Sequence, residues 1–258
     1  MSADPKPPVD LSAIDAATRA GILVEALPHI QAFAGRTVVI KLGGSAMGDP
    51  GLIDSFAADV VLLRAVGINA VVVHGGGPQI GAHLARLGIE TEFRDGLRVT
   101  DAETLDVARM VLAGKVGRDV VGAINRHDRL AVGISGEDAG LVLASARDAD
   151  LGYVGDVVGV DRRILDTLIG EGFIPVVSTI GADTSGQAFN INADSVAIAV
   201  AEALDAEKLI YLTDVPGVLT DTDDPASLVS RLSVARARLL MDEGVIAGGM
   251  IPKVEATL

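Results

Sequence analysis

Five short apolar runs, residues 37–42, 69–74, 130–135, 174–179 and 208–213, alternate with segments of helical periodicity, and this alternation constrains the fold more than any other feature. The helical patterns cover residues 52–66, 78–87, 102–125, 162–171 and 194–204. Several runs are apolar on both faces, as in Val71-Val72-Val73, which suits parallel strands covered by helices on each side. The sequence therefore predicts an α/β fold, an open three-layer α/β/α sandwich with a mainly parallel central sheet. Two stretches break the alternation. Residues 92–99 contain Asp95-Gly96, and residues 141–160 are interrupted by Gly152, Gly155 and Gly159; both read as hairpins projecting from the sheet.

Ahead of the first run, residues 11–33 place Ile14, Leu23, Leu27 and Ile30 at roughly helical spacing, with Pro28 predicting a kink or break. This helix is not needed to build a sheet. It either packs on its own body or lends its apolar stripe to another subunit.

Composition narrows the ligand class. A net charge of −14, 3% aromatic residues and no Trp argue against nucleic acid, whose binding needs Lys and Arg on phosphates and rings for stacking. Any anionic ligand must then be held by a local concentration of positive groups. No cysteine is present, so disulfides and thiolate metal sites are excluded, and His29, His74, His83 and His127 lack zinc-motif spacing. Residues 1–10 carry three prolines but neither an apolar core nor an Arg-rich amphipathic pattern, so no signal or transit peptide is expected. No apolar run spans a bilayer without charges or clustered glycines. The expectation is a cytoplasmic protein with no membrane partner.

In a doubly wound sheet, ligands sit outside the carboxyl ends of the strands. The first strand carries Lys41 inward and breaks into Gly43-Gly44-Ser45; a buried lysine either meets an anion or snorkels to the surface. His74-Gly75-Gly76-Gly77-Pro78 follows the second strand and opens a helix, offering free amides to an anion or simply making a tight turn. It is neither a Walker loop nor G-x-G-x-x-G. Arg98 follows the Asp95-Gly96 turn, with a planar fork suited to a carboxylate. Asn190, Asn192 and Asp194 crowd one helix start, more polar groups than capping requires. Thr213-Asp214-Val215-Pro216-Gly217 closes the fifth strand in a turn where a nucleotide could rest, and Gly249-Met250-Ile251-Pro252-Lys253 puts a lysine in the first turn of a helix, against its dipole.

Taken in order, Lys41-Leu42-Gly43-Gly44, His74 to Pro78, Gly96-Leu97-Arg98-Val99-Thr100, Gly136-Glu137-Asp138, Gly152-Tyr153-Val154-Gly155, Asn190-Ile191-Asn192-Ala193-Asp194 and Gly249 to Lys253 closely resemble the acetylglutamate kinases of the amino acid kinase family. The resemblance runs from residue 37 to residue 258. It implies transfer of the ATP γ-phosphoryl to the side-chain carboxylate of N-acetyl-L-glutamate in arginine biosynthesis, with Mg2+ bound to the ATP and no metal ligand assigned to the protein. It implies catalytic roles for Lys41 and Lys253 on the transferring phosphoryl, organised by Asp194. Gly76, Gly77, Arg98, Asn190 and Asn192 would bind the acylated amino acid; Gly43, Gly44, Thr213, Asp214, Gly217 and Gly249 would bind ATP. The implied organisation is an N-terminal extension over 1–36, a substrate lobe over 37–180 and an ATP lobe over 181–258. The alternatives are a kinase for a related acylated amino acid, such as a carrier-bound aminoadipate, or a non-catalytic metabolite sensor.

Two departures from that pattern stand out. Ser45 occupies a position where many relatives carry Asn, and relatives continue past the Gly-Met-x-Pro-Lys helix whereas this sequence ends at Leu258, so an incomplete C-terminal lobe is expected. Residues 11–33 resemble the extra helix of hexameric, arginine-inhibited members. A homo-oligomer is therefore expected, a dimer or, in the complete protein, a hexamer built as a trimer of dimers; arginine is the feedback inhibitor of such members, and much of its site there lies past the position of Leu258.

Overall fold

The structure, a computed structural model, describes residues 14–43, 46–94, 96–213, 217–221, 224–246 and 254. The strands in chain order are β1 (Thr37–Leu42), β2 (Asn69–His74), β3 (Phe93–Arg94), β4 (Leu97–Arg98), β5 (Ala131–Ser135), β6 (Val142–Ala146), β7 (Val154–Val160), β8 (Ile174–Ser178), β9 (Ile180–Ala182), β10 (Ala188–Ile191) and β11 (Lys208–Leu212). The helices are α1 (Ala16–Phe33), α2 (Pro50–Ala65), α3 (Gly77–Leu87), α4 (Ala102–Arg109), α5 (Gly117–His127), α6 (Arg163–Gly170), α7 (Ala193–Ala203) and α8 (Val234–Asp242).

The central sheet has the order β11-β1-β2-β8-β5, with every pair parallel. These are the five apolar runs of the sequence. Pleating sends alternate side chains to opposite layers. Val38, Ile40, Leu42, Ala70, Val72 and Val176 pack with Phe56, Ala57 and Val60 of α2 and with Val120, Ala123 and Ile124 of α5. Val39, Val71, Val73 and Val177 pack on the other side with Leu165 of α6 and with Val196, Ala197 and Val200 of α7. Pro175 sits in an interior strand, yet pairing of β8 with β2 starts only at Val176, so no bond to β2 is lost there. The three-layer sandwich read from the sequence is the observed one.

Residues 92–99 form the expected hairpin, β3 against β4. Residues 141–160 do more than project. Their β6–β7 hairpin joins β9 and β10 in a closed four-stranded ring, with β10 parallel to β7 and antiparallel to β9. Gly155 and Gly181 make the closure possible, since a Cβ on the first would meet Phe189 at 2.6 Å and on the second Ile191 at 2.7 Å. The helix expected over 102–125 runs on to His127 and contains a π-helical segment, Met110–Val116. Its buried residues Ala108, Leu112, Val116, Val120 and Ile124 recur every four positions. On a regular helix that spacing drifts by about 40° per step, and the wider turn keeps the series on one side.

Helix α1 starts at an Asp15 cap and carries Pro28 inside it. None of its residues is buried, and Ile22, Leu23, Val24 and Leu27 are exposed. Helix α6, by contrast, is seated by one fully buried side chain, Leu165. Leu165→Ala should cost about 2–5 kcal/mol of unfolding free energy in urea titration; a loss below about 1 kcal/mol would show that α6 is held by something other than this contact.

Candidate functional site

Two helix N-termini meet at the carboxyl edge of the sheet. Helix α3 leaves β2 through Gly75 and Gly76, with Pro78 in its first turn and no side-chain cap. Helix α7 leaves β10 through Asn192, whose Oδ1 accepts from the amides of Asp194 at 2.8 Å and Ser195 at 3.3 Å. The turns touch: a Cβ on Gly75 would lie 3.3 Å from that of Ala193. Helix N-termini favour negative charge, and the start of α3 carries no side-chain cap. Between them lies a pocket of about 180 Å³ walled by Gly76, Gly77, Ile80, Arg98, Leu112, Asn190 and Asn192.

Arg98 supplies the pocket's cation. Strand β4 sets its guanidinium over the Phe93 ring of β3, 4.6 Å from the centroid. Its Nη2–H donates to the Gly77 carbonyl at 3.0 Å, while Nη1 is buried with no hydrogen-bond partner. The residue is 8% exposed and takes part in no ion pair among the described residues. Burial pushes the guanidinium pKa down from its ordinary value. A cation held this way lacks one partner, and a carboxylate supplies it bidentately. Thr100 links this side of the pocket to the next: its hydroxyl donates to the Arg98 carbonyl at 2.8 Å and accepts from Asn190 Nδ2 at 3.3 Å.

Lys41 shares the sheet face of Val39 and is flanked by Val73 on β2 and Tyr211 on β11. Its ammonium lies 2.9 Å from Asp194 Oδ1, with the two side chains 14% and 20% exposed. Asp194 follows Ala193 on the pocket wall, so the ion pair stands beside the cavity. The Tyr211 hydroxyl is buried there without a partner. Burial first, and then the charge of Asp194, pushes its pKa up to about 12, which keeps it a neutral donor. Sequence reasoning passed over Tyr211 because its place depends on β11 lying beside β1; the alternation of β11 in register with Lys41 is the signal that finds it. Ile80 and Leu112, the apolar walls, were also absent from the sequence reading.

The structure thus brings together Lys41, Asp194, Gly76, Gly77, Arg98, Asn190 and Asn192. Gly43 sits at the end of β1, but its amide donates to the Leu212 carbonyl at 3.1 Å, and a Cβ there would meet that oxygen at 2.8 Å. Its glycine character therefore serves the approach of β11, and its amide is not free for a phosphate. Thr213 follows β11, and Gly217 has a φ of 144°, in the region that favours glycine. Gly44, Asp214, Gly249 and Lys253 lie outside the described residues.

A family model described as Amino acid kinase family matches residues 36–258. The acetylglutamate kinase of Thermosynechococcus vestitus is 54% identical over 237 residues, covering 92% of this chain and 80% of that protein. A solved structure from Streptococcus mutans is similar with a TM-score of 0.76 at 30% identity, covering 85% of this chain and 88% of that one. The N-acetylglutamate synthase of Neisseria gonorrhoeae, solved with coenzyme A and N-acetyl-glutamate, reaches a TM-score of 0.78 at 27% identity, over 92% of this chain and 54% of that one.

One further group at this edge has a thermodynamic signature. His74 is fully buried, and burial pushes its imidazole pKa down from 6.5 to about 4, with the charge of Arg118 adding to the effect. The unfolded chain therefore binds a proton that the folded chain refuses. The associated stability is fully present above pH 6.5 and is lost as the pH falls toward 4. Urea titrations should lose up to ~3 kcal/mol across that window, and His74→Leu should remove this slope. An equal slope in the variant would assign the loss to other groups.

Proposed function

The chain belongs to the amino acid kinase family, and from that premise we propose that it transfers the γ-phosphoryl of ATP to the side-chain carboxylate of N-acetyl-L-glutamate. The product is N-acetyl-L-glutamyl 5-phosphate, an intermediate of arginine biosynthesis. The observation that carries this reading is the buried guanidinium of Arg98, its Nη1 unpaired, in the wall of a small pocket between two helix N-termini. A free α-carboxylate satisfies that group. A substrate with no free carboxylate at that position leaves it bare, at a desolvation cost of about 1–3 kcal/mol.

Chemistry follows from charge. A glutamate side chain has an unperturbed pKa of about 4.3, so the nucleophile is ionised at neutral pH and no general base is required. Its oxygen forms the new O–P bond as the bond from the γ-phosphorus to the β–γ bridging oxygen breaks, and ADP leaves with that electron pair. The barrier lies in bringing two anions together, so catalysis consists of alignment and of positive groups aimed at the developing charge. Lys41 serves the transferring phosphoryl, with Asp194 holding its ammonium in place, and the amides of Gly76 and Gly77 at the start of α3 act beside it. Lys253 completes the pair of lysines in this scheme. Arg98 takes the α-carboxylate; Asn190 and the Asn192 amide nitrogen bind the acylated amino acid.

ATP occupies the side of Gly43, Gly44, Thr213, Asp214, Gly217 and Gly249, and Mg2+ enters as its complex. The exposed apolar residues of α1 support assembly of dimers into a hexamer. A cytoplasmic site of action fits a chain in which no helix among the described residues is long and apolar enough to cross a membrane.

Coupled measurement of ADP release should show turnover that depends on N-acetyl-L-glutamate; release indifferent to it would sink the assignment. Lys41→Ala should lower kcat by roughly 100-fold or more with little change in KM for the amino acid, as for removal of an oxyanion donor. Arg98→Ala should instead raise that KM roughly 10–100-fold, the worth of a charged hydrogen bond. An unaltered KM would remove Arg98 from the substrate site.

A further inference from the structure

His74 closes β2 at the base of the glycine turn and is fully buried. Its Nδ1 lies 2.9 Å from the carbonyl oxygen of Gly75. A carbonyl oxygen only accepts, so Nδ1 carries the proton and Nε2 is a bare lone pair. Nε2 has no partner, and neither does the hydroxyl of Ser178, the residue in register with His74 on β8. Burial keeps the ring neutral, its pKa lying near 4, and the nucleophile assigned above is already ionised. The histidine has no proton to move.

Its effect is exerted through a peptide plane. The Gly75–Gly76 bond is trans, so its carbonyl and its amide point in opposite directions. His74 lies on the face of Leu42 and Val72, toward the layer of α2 and α5. Drawing the Gly75 carbonyl to that side turns the Gly76 amide toward the opposite layer, where α7, Lys41 and Asp194 stand. That amide has no acceptor among the described residues. Leu112 and Val116 pack closely on Gly76, since a Cβ there would meet them at 2.7 Å and 3.2 Å.

We propose that His74 is a positioning residue for phosphoryl transfer: its Nδ1–H holds the Gly75 carbonyl and thereby aims the Gly76 amide at the charge that develops on the transferred phosphoryl. The proposal rests on the kinase reading above. It differs from core filling in a way two variants separate. His74→Asn places an amide N–H near the position of Nδ1 but fills less space. His74→Leu fills space and donates nothing. Core filling makes the leucine variant the better enzyme; positioning makes it the worse one.

The experiment compares kcat, KM and urea stability of the wild type, H74N and H74L near neutral pH. H74N should stay within about fivefold of the wild-type kcat, while H74L, at least as stable as H74N, should fall roughly 10–100-fold in kcat with KM for N-acetyl-L-glutamate changed less than about threefold. Equal kcat values in the two variants, or a loss confined to KM, would overturn the proposal. A wild type inactive on N-acetyl-L-glutamate would refute the kinase reading instead. The geometry is then judged by histidine ¹⁵N spectra of the wild type, in which a ring protonated on Nδ1 supports the aiming of Gly76 and one protonated on Nε2 overturns it.

Discussion

The ion pair between Lys41 and Asp194 fixes the relation between two elements whose other contacts are apolar and without direction. Strand β1 and helix α7 pack through Val39, Val196 and Val200, a contact that tolerates small slides. A 2.9 Å link between two mostly buried charges does not. Losing either partner would leave the other charge buried and unpaired, an arrangement far more costly than the pair. The start of α7 is thereby registered on the sheet, and with it the Asn192 cap, the Ala193 wall and the contact with Gly75. The pocket inherits its dimensions from that registration.

A chain with a net charge of −14 has little general attraction for anions, so the positive potential at this edge is local. It comes from Lys41, from Arg98 and from two helix N-termini, and these differ in how they are held. Lys41 is compensated by Asp194 and approaches neutrality as a pair. Arg98 is stacked on Phe93 and tethered to one carbonyl, with no ion pair among the described residues. The free attraction for a carboxylate is thus greatest at Arg98, and the paired ammonium stands ready where further negative charge accumulates.

Much of the framework was legible because it is written in local pattern. Runs such as Val71-Val72-Val73 announce strands covered on both faces, and the strand phase alone puts Lys41 on the side of Val39. The residues around Arg98, Asn190 and Asp194 were legible as motifs. What escaped depends on pairings between distant segments. The closed ring needs β6 and β7 to meet β9 and β10, and the meaning of Tyr211 needs β11 beside β1. Gly43 was read as an amide for a nucleotide, yet that amide is consumed by Leu212, a residue that only the folded sheet brings near. Asn192 shows that capping and binding are not exclusive: Oδ1 caps α7, and the residue still lines the pocket.

The π-helical segment at residues 110–116 joins what would otherwise be independent parts. Leu112 within it forms a wall of the pocket and confines Gly76, while Gly117 at its end lies against the His74 ring, 3.3 Å from Nε2 to a Cβ position. The wider turn thereby sets the rotation of helix α5 relative to helix α4, and the glycine turn packs against the segment between them. Removal of a single residue from this segment would preserve composition, hydrophobicity and helicity, and would pass as a conservative change on any linear comparison. It would rotate the pocket wall relative to the histidine's seat by about a quarter turn. In such a protein, length within one helical turn carries as much specification as the identity of the side chains.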